Sequence, residues 1–176
     1  SYGGVVALMV ALRGRVKPRA LALFEPVAVP VLAAVGEAEA FVAAQALFER
    51  YCAAFEAGDR EAVRVMVDYW FGEGAFGRMP ASMRAFLVAH TGPKVRDVRA
   101  TFRDPYSTDA LHALAMPVLG VYGARSPEVM GKIVEAIASH APRGIIKKLE
   151  EADHAMTTTH AEAVAALIAK LADERA

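Results

Sequence analysis

The sequence predicts an α/β fold, a parallel sheet carrying a helical cap insertion and completed by a separate N-terminal segment. Three observations predict it. Short apolar runs of strand length alternate with helical patterns in the outer thirds of the chain. The stretch between Pro30 and Leu114 is helical throughout. Only three strands are found, each apolar on both faces, and three such strands do not make a self-sufficient, doubly covered sheet.

The elements follow in chain order. Tyr2 to Arg15 is predicted as a helix, with Val5, Val6, Leu8, Met9 and Leu12 forming a wide apolar face. Gly3 and Gly4 stand in its first turn, where good helix formers are usual. Arg19 to Phe24 is a strand, stopped by Glu25-Pro26. Helices are predicted over Ala38 to Ala57, Asp59 to Tyr69, Ala81 to His90 and Lys94 to Phe102, with a loop over Phe71 to Gly77. Met116 to Tyr122 is a second buried strand. Pro127 opens a helix that runs to His140. Gly144 to Leu149 is a third buried strand, and Ala161 to Leu171 a closing helix. The expected division is core over 1–30, cap over 31–114 and core over 115–176.

Composition excludes several classes of function. Hydrophobic residues make up 55% and charged residues 23%, so the chain can bury a core. Lysine plus arginine equals aspartate plus glutamate, 20 against 20, which leaves no footprint for nucleic acid or an acidic membrane. The lone Cys52 permits neither an intrachain disulfide nor a four-cysteine metal site. No window approaches the ~20 apolar residues of a membrane span. Val5 to Leu12 lacks the basic start and cleavage site of a secretory signal. A cytoplasmic protein without metal or organic cofactor is expected.

Ser1-Tyr2-Gly3-Gly4, opening a helix, matches the second half of a nucleophile elbow, the G-x-S-x-G turn. There a glycine two residues after the serine relieves a strained, tightly packed turn. The Tyr2 N–H, near the positive helix end, would be an oxyanion donor. His154 follows the last strand, the place of the general base in the order serine, acid, histidine. His160 is its rival; His90 and His112 lie in the insertion, and His140 suits a helix end. For the acid, Glu25 at a strand terminus is preferred, because a carboxylate there can accept the imidazole N–H and fix its tautomer. Glu128 and Asp153 are the alternatives, the first also suited to a helix first turn and the second to loop capping.

Taken together, Ser-Tyr-Gly-Gly, a strand ending Leu-Phe-Glu-Pro, a helical cap, Met-Pro-Val-Leu-Gly-Val-Tyr-Gly and Asp-His-Ala-Met resemble the α/β-hydrolase superfamily over the whole chain. The Phe24-Glu25-Pro26 strand end resembles haloalkane dehalogenases, which carry their acid there. Those enzymes use an aspartate nucleophile, so Ser1 instead implies the esterase, lipase and carbon–carbon hydrolase branch. The resemblance implies an ester hydrolase with Ser1 as nucleophile, His154 as base, Glu25 as acid and Tyr2 N–H at the oxyanion. An amidase or carbon–carbon hydrolase using the same residues is the first alternative, and a catalytically silent ligand-binding fold the second. Asp68 to Phe76, an aromatic and glycine cluster containing Trp70, would either line an apolar pocket or pack helix on helix. Arg78, Arg84 and Arg103 are expected to be solvated charges.

A serine at the first position admits three origins: a piece of a longer chain, a proteolytic nick, or self-cleavage before Ser1. Self-cleavage is preferred, since an outside protease favours exposed loop tips. The expected partner is therefore the N-terminal half of the same precursor as a separate chain. A free Ser1 amine could itself act as base, but with His154 present the histidine takes that role.

Overall fold

A computed structural model describes residues 1–103 and 105–173 of the chain. Three strands, β1 (Leu21–Phe24), β2 (Val118–Gly123) and β3 (Gly144–Leu149), form one parallel sheet in the order β1-β2-β3. Leu21 pairs with Val118 and Val118 with Gly144, so the carboxyl ends of all three strands lie along one edge. Helix α1 (Tyr2–Leu12) precedes β1. Between β1 and β2 come α2 (Pro30–Ala34), α3 (Ala38–Glu56), α4 (Val63–Phe71), α5 (Ala75–Arg78), α6 (Ala81–Ala89), α7 (Thr91–Thr101) and α8 (Thr108–His112). Helix α9 (Glu128–His140) joins β2 to β3, and α10 (Met156–Thr159) and α11 (Ala161–Asp173) follow β3.

Strand alternation divides the core in two. Leu21, Leu23 and Val118 join the larger cluster, with Val5 and Leu8 of α1, Ile133 and Ile137 of α9, and apolar residues of the helices between β1 and β2. Leu119 and Val121 point to the other face, against Ala152, Met156 of α10 and Val164 and Leu171 of α11, with Ala22 and Phe24 packed alongside. The sheet is therefore covered by α1 and α9 on one side and by α10 and α11 on the other.

Several expectations need correction. β3 is exposed or half-buried along its whole length, not a strand buried on both faces. Its Lys147 and Lys148 are compatible with an edge position, where among the described residues β2 alone pairs with it. The helix expected from Asp59 starts at Val63, because Asp59 Oδ1 accepts the Glu61 N–H (2.8 Å) and holds a turn there. The expected loop over Phe71 to Gly77 contains the single turn α5, whose Phe76 N–H is held by Asp68 Oδ1 (2.8 Å). Helix α1 ends at Leu12 and buries Val5, Leu8 and Ala11, while Val6 is exposed. No helix among the described residues is long and apolar enough to cross a membrane, and no cluster among them could hold a metal ion.

The α9 interface sets much of the stability. Ile133 is fully buried, whereas Ile168 of α11 is 46% exposed. Ile133→Ala is expected to lose ~2–5 kcal/mol in chemical denaturation, and Ile168→Ala no more than about 0.5 kcal/mol.

Candidate active site

The three strand ends and the start of α1 converge at the carboxyl edge of the sheet, where ligand sites of open α/β sheets are found. The Glu25 N–H continues the parallel ladder by donating to the Val121 carbonyl (3.0 Å). The chain then turns sharply. Among the described residues Glu25 is the one non-glycine with positive φ, +43°, and it precedes a proline, which ordinarily favours extended backbone. Such a conformation costs about 1–3 kcal/mol and persists only where its surroundings impose it. Here the surroundings are two hydrogen bonds to the carboxylate. The Gly123 N–H donates to Oε1 (2.8 Å), and His154 Nδ1 lies 2.6 Å from Oε2.

The loop that delivers His154 is fixed against β2. Ala124 N–H donates to the Leu149 carbonyl and Arg125 N–H to the Ala152 carbonyl, both at 2.9 Å. A Cβ on Gly123 would stand 2.3 Å from the Ala152 oxygen, so only glycine lets the loop lie this close. Asp153 Oδ1 accepts the Ala155 N–H (2.8 Å), tightening the turn around His154.

Glu25 is 1% exposed. Burial alone would push its carboxyl up. Hydrogen bonds from His154 and the Gly123 N–H, the nearby Ser126 hydroxyl and the charge of His154 outweigh that effect and hold it below the usual value. Ser126 Oγ is itself buried and outside hydrogen-bond geometry. An ionised Glu25 is an acceptor only, so His154 Nδ1 is the donor in this contact.

Ser1 lies next to this pair. Its nitrogen donates to the Phe24 carbonyl (3.1 Å), which fastens the start of α1 to the end of β1. The close approach falls on Gly4, whose added Cβ would meet Pro26 Cβ at 3.0 Å; at Gly3 it would meet nothing within 4 Å. The expectation that Gly3 is the sterically required glycine is thus corrected to Gly4, because α1 crosses the turn after Glu25 one residue later.

Ser1, Tyr2 and His154 line one pocket of about 310 Å³. Its other walls are largely apolar: Val27 after β1, Phe48 of α3, Met66, Val67 and Trp70 of α4, and Val98 of α7. Lys94 and Asp97 of α7, 3.9 Å apart, also reach it. Tyr51 lines it too; burial first, then Cys52 and Asp97, push its phenol up to about 12, so it remains a neutral donor. Of the two expectations for Trp70, pocket wall and helix packing, the structure shows both: it lines the pocket and packs on Phe48 of α3. The Trp70 ring lies on the His154 imidazole, centroids 4.2 Å apart and planes 11° from parallel, a contact between residues too distant in sequence to be seen there.

The other candidates lie elsewhere. Glu128 is exposed beside Lys132 at the start of α9 (3.7 Å), and Asp153 makes the local cap described above. His160 sits against the Thr159 hydroxyl, His90 against the Phe86 carbonyl and His140 against the Ala136 carbonyl. Arg78 and Arg84 donate to backbone carbonyls of the 73–79 segment. Cys52 is a buried free thiol.

No protein-family model and no curated protein matches the chain. Among solved structures, the crystal structure of an alpha/beta hydrolase from Sphaerobacter thermophilus DSM 20745 is similar to it, with a TM-score of 0.56 and 21% identity. The match covers 97% of this chain and 64% of that one. The chain therefore has an α/β-hydrolase fold and spans just under two thirds of that protein's length.

Two outcomes follow from the geometry of Glu25. A carboxyl held below its unfolded value contributes stability that is complete above the ordinary 4.5 and is lost as pH falls through the lower native value. The stability gap between the wild type and Glu25→Gln, about 2 kcal/mol for charge-assisted hydrogen bonds, should hold at neutral pH and shrink below that range in urea titrations. Because φ is positive at this position, Glu25→Gly should melt above Glu25→Ala, by ~2–8 °C for a difference of about 1–2 kcal/mol.

Proposed function

We propose that the protein is a serine hydrolase that cleaves carboxylic esters through an acyl-enzyme on Ser1. The observation that supports this most is the buried Glu25–His154 pair, 2.6 Å apart, opening on the apolar pocket that Ser1 also lines. In this reading Ser1 Oγ attacks the acyl carbon while His154 Nε2 removes its proton. The ionised Glu25 keeps the other ring nitrogen protonated and stabilises the imidazolium that forms. His154 then returns the proton to the departing alkoxide, and the cycle repeats with water as nucleophile. The Tyr2 N–H, in the first turn of α1, has no partner within its own helix and serves as an oxyanion donor. The apolar walls would accept the acyl chain, with the helices between β1 and β2 acting as the cap.

An upstream segment fits this reading. The outer edge of β1 has no strand partner among the described residues, and Val6 on α1 is exposed. Further strands added beside β1 would cover such an edge.

Ser1→Ala is expected to abolish ester hydrolysis and labelling by a fluorophosphonate probe while leaving the melt unchanged. Glu25→Gln should lower kcat by as much as ~10⁴, the size of the equivalent change in a serine protease triad. Labelling and turnover that survive Ser1→Ala would overturn the assignment. A panel of ester, amide and diketone substrates separates ester cleavage from the other acyl chemistries.

A further inference from the structure

We propose that Trp70, on the helical segment between β1 and β2, is a positioning residue for His154: its indole face holds the imidazole in the plane that reaches both Glu25 and the pocket. The role of that ring in hydrolysis rests on the function proposed above; the contact itself does not.

The geometry is a face-to-face stack at 4.2 Å and 11°. The Glu25 hydrogen bond anchors one atom of the ring, Nδ1. That bond and the covalent tether at Cγ hold two adjacent ring atoms, and tilting of the ring about the line through them would swing Nε2 away from a serine. A flat surface against one face removes this freedom. Trp70 is itself wedged, with Tyr69 edge-on at 4.9 Å and Phe48 of α3 tilted at 6.4 Å, and Phe48 is backed by Phe102 at 6.0 Å. The stack thus rests on α3 as well as α4. The indole face is also electron-rich and lies against a ring that must carry positive charge during proton transfer, a favourable arrangement away from water. Other ionisable groups around the two rings are the Ser1 amine, which burial pulls down, Glu25, Asp153, Lys94, Asp97, Tyr51 and Tyr69. Burial raises both tyrosines, so neither titrates in the neutral range.

The contact can be read optically. Protonated imidazole in contact with indole quenches its fluorescence by accepting an electron from the excited ring. The emission of the wild type minus that of Trp70→Phe isolates Trp70 in the full protein. This difference is expected to fall in one step on acidification, and to lose that step in a His154→Gln background while keeping it in Asp97→Asn. Turnover supplies the second arm. Trp70→Leu is expected to lower kcat about tenfold, and Trp70→Phe, which restores a flat face, to recover most of it; a mere wall of the pocket would move KM instead. A Trp70 emission indifferent to His154, or a kcat unchanged in Trp70→Leu, would overturn the proposal. The fluorescence arm needs no turnover, so its result stands apart from that of the triad variants.

Discussion

A carboxylate taken almost wholly out of water must find charged and hydrogen-bonded partners or give up its charge. Glu25 meets that requirement with partners 98 and 129 residues away, the Gly123 N–H and His154. Each partner is available only because the fold is as it is. Gly123 is one strand over because β1 pairs with β2 in parallel, and Phe24 stands opposite Val121. His154 arrives because β3 ends level with Gly123, and because that glycine leaves room for the Ala152 carbonyl. The left-handed backbone at Glu25 is the local consequence. Extended backbone would carry the side chain on along the strand, whereas this turn aims it across the sheet edge.

The same constraint explains what could be read in the sequence. Strands and helices large enough to have a period were visible, as was the alternation of α and β at the two ends of the chain. Glu25 stands out because it places a carboxylate at a strand terminus, where it can accept an imidazole N–H, and His154 because it follows the last strand. Features that depend on distant partners were hidden. The turn α5 is held by Asp68 from the preceding helix, and the close-packed glycine is decided by where α1 crosses Pro26. The exposure of β3 is hidden by Ile145, Ile146 and Leu149, whose apolar character masks what Lys147 and Lys148 between them signal. Apolar content alone does not distinguish a central strand from an edge.

The polar and apolar parts of the candidate site come from different elements, and this division has electrostatic consequences. The sheet edge supplies the ionisable pair, and Ser1 stands at the start of α1. The helices between β1 and β2 supply most of the apolar wall, including the ring that covers His154. A charge in such surroundings interacts more strongly with its neighbours than it would in water, because fewer solvent dipoles oppose it. The helical segment, whose Lys94 and Asp97 also line the pocket, therefore acts on the pair chiefly through its apolar wall. It lowers the local dielectric over the Glu25–His154 pair and fixes the plane of the imidazole. Because Trp70 covers one face of the imidazole, displacing the indole would both expose that ring and release it. Charge placement is thus a property of the sheet, and the strength with which that charge acts a property of the helices laid over it.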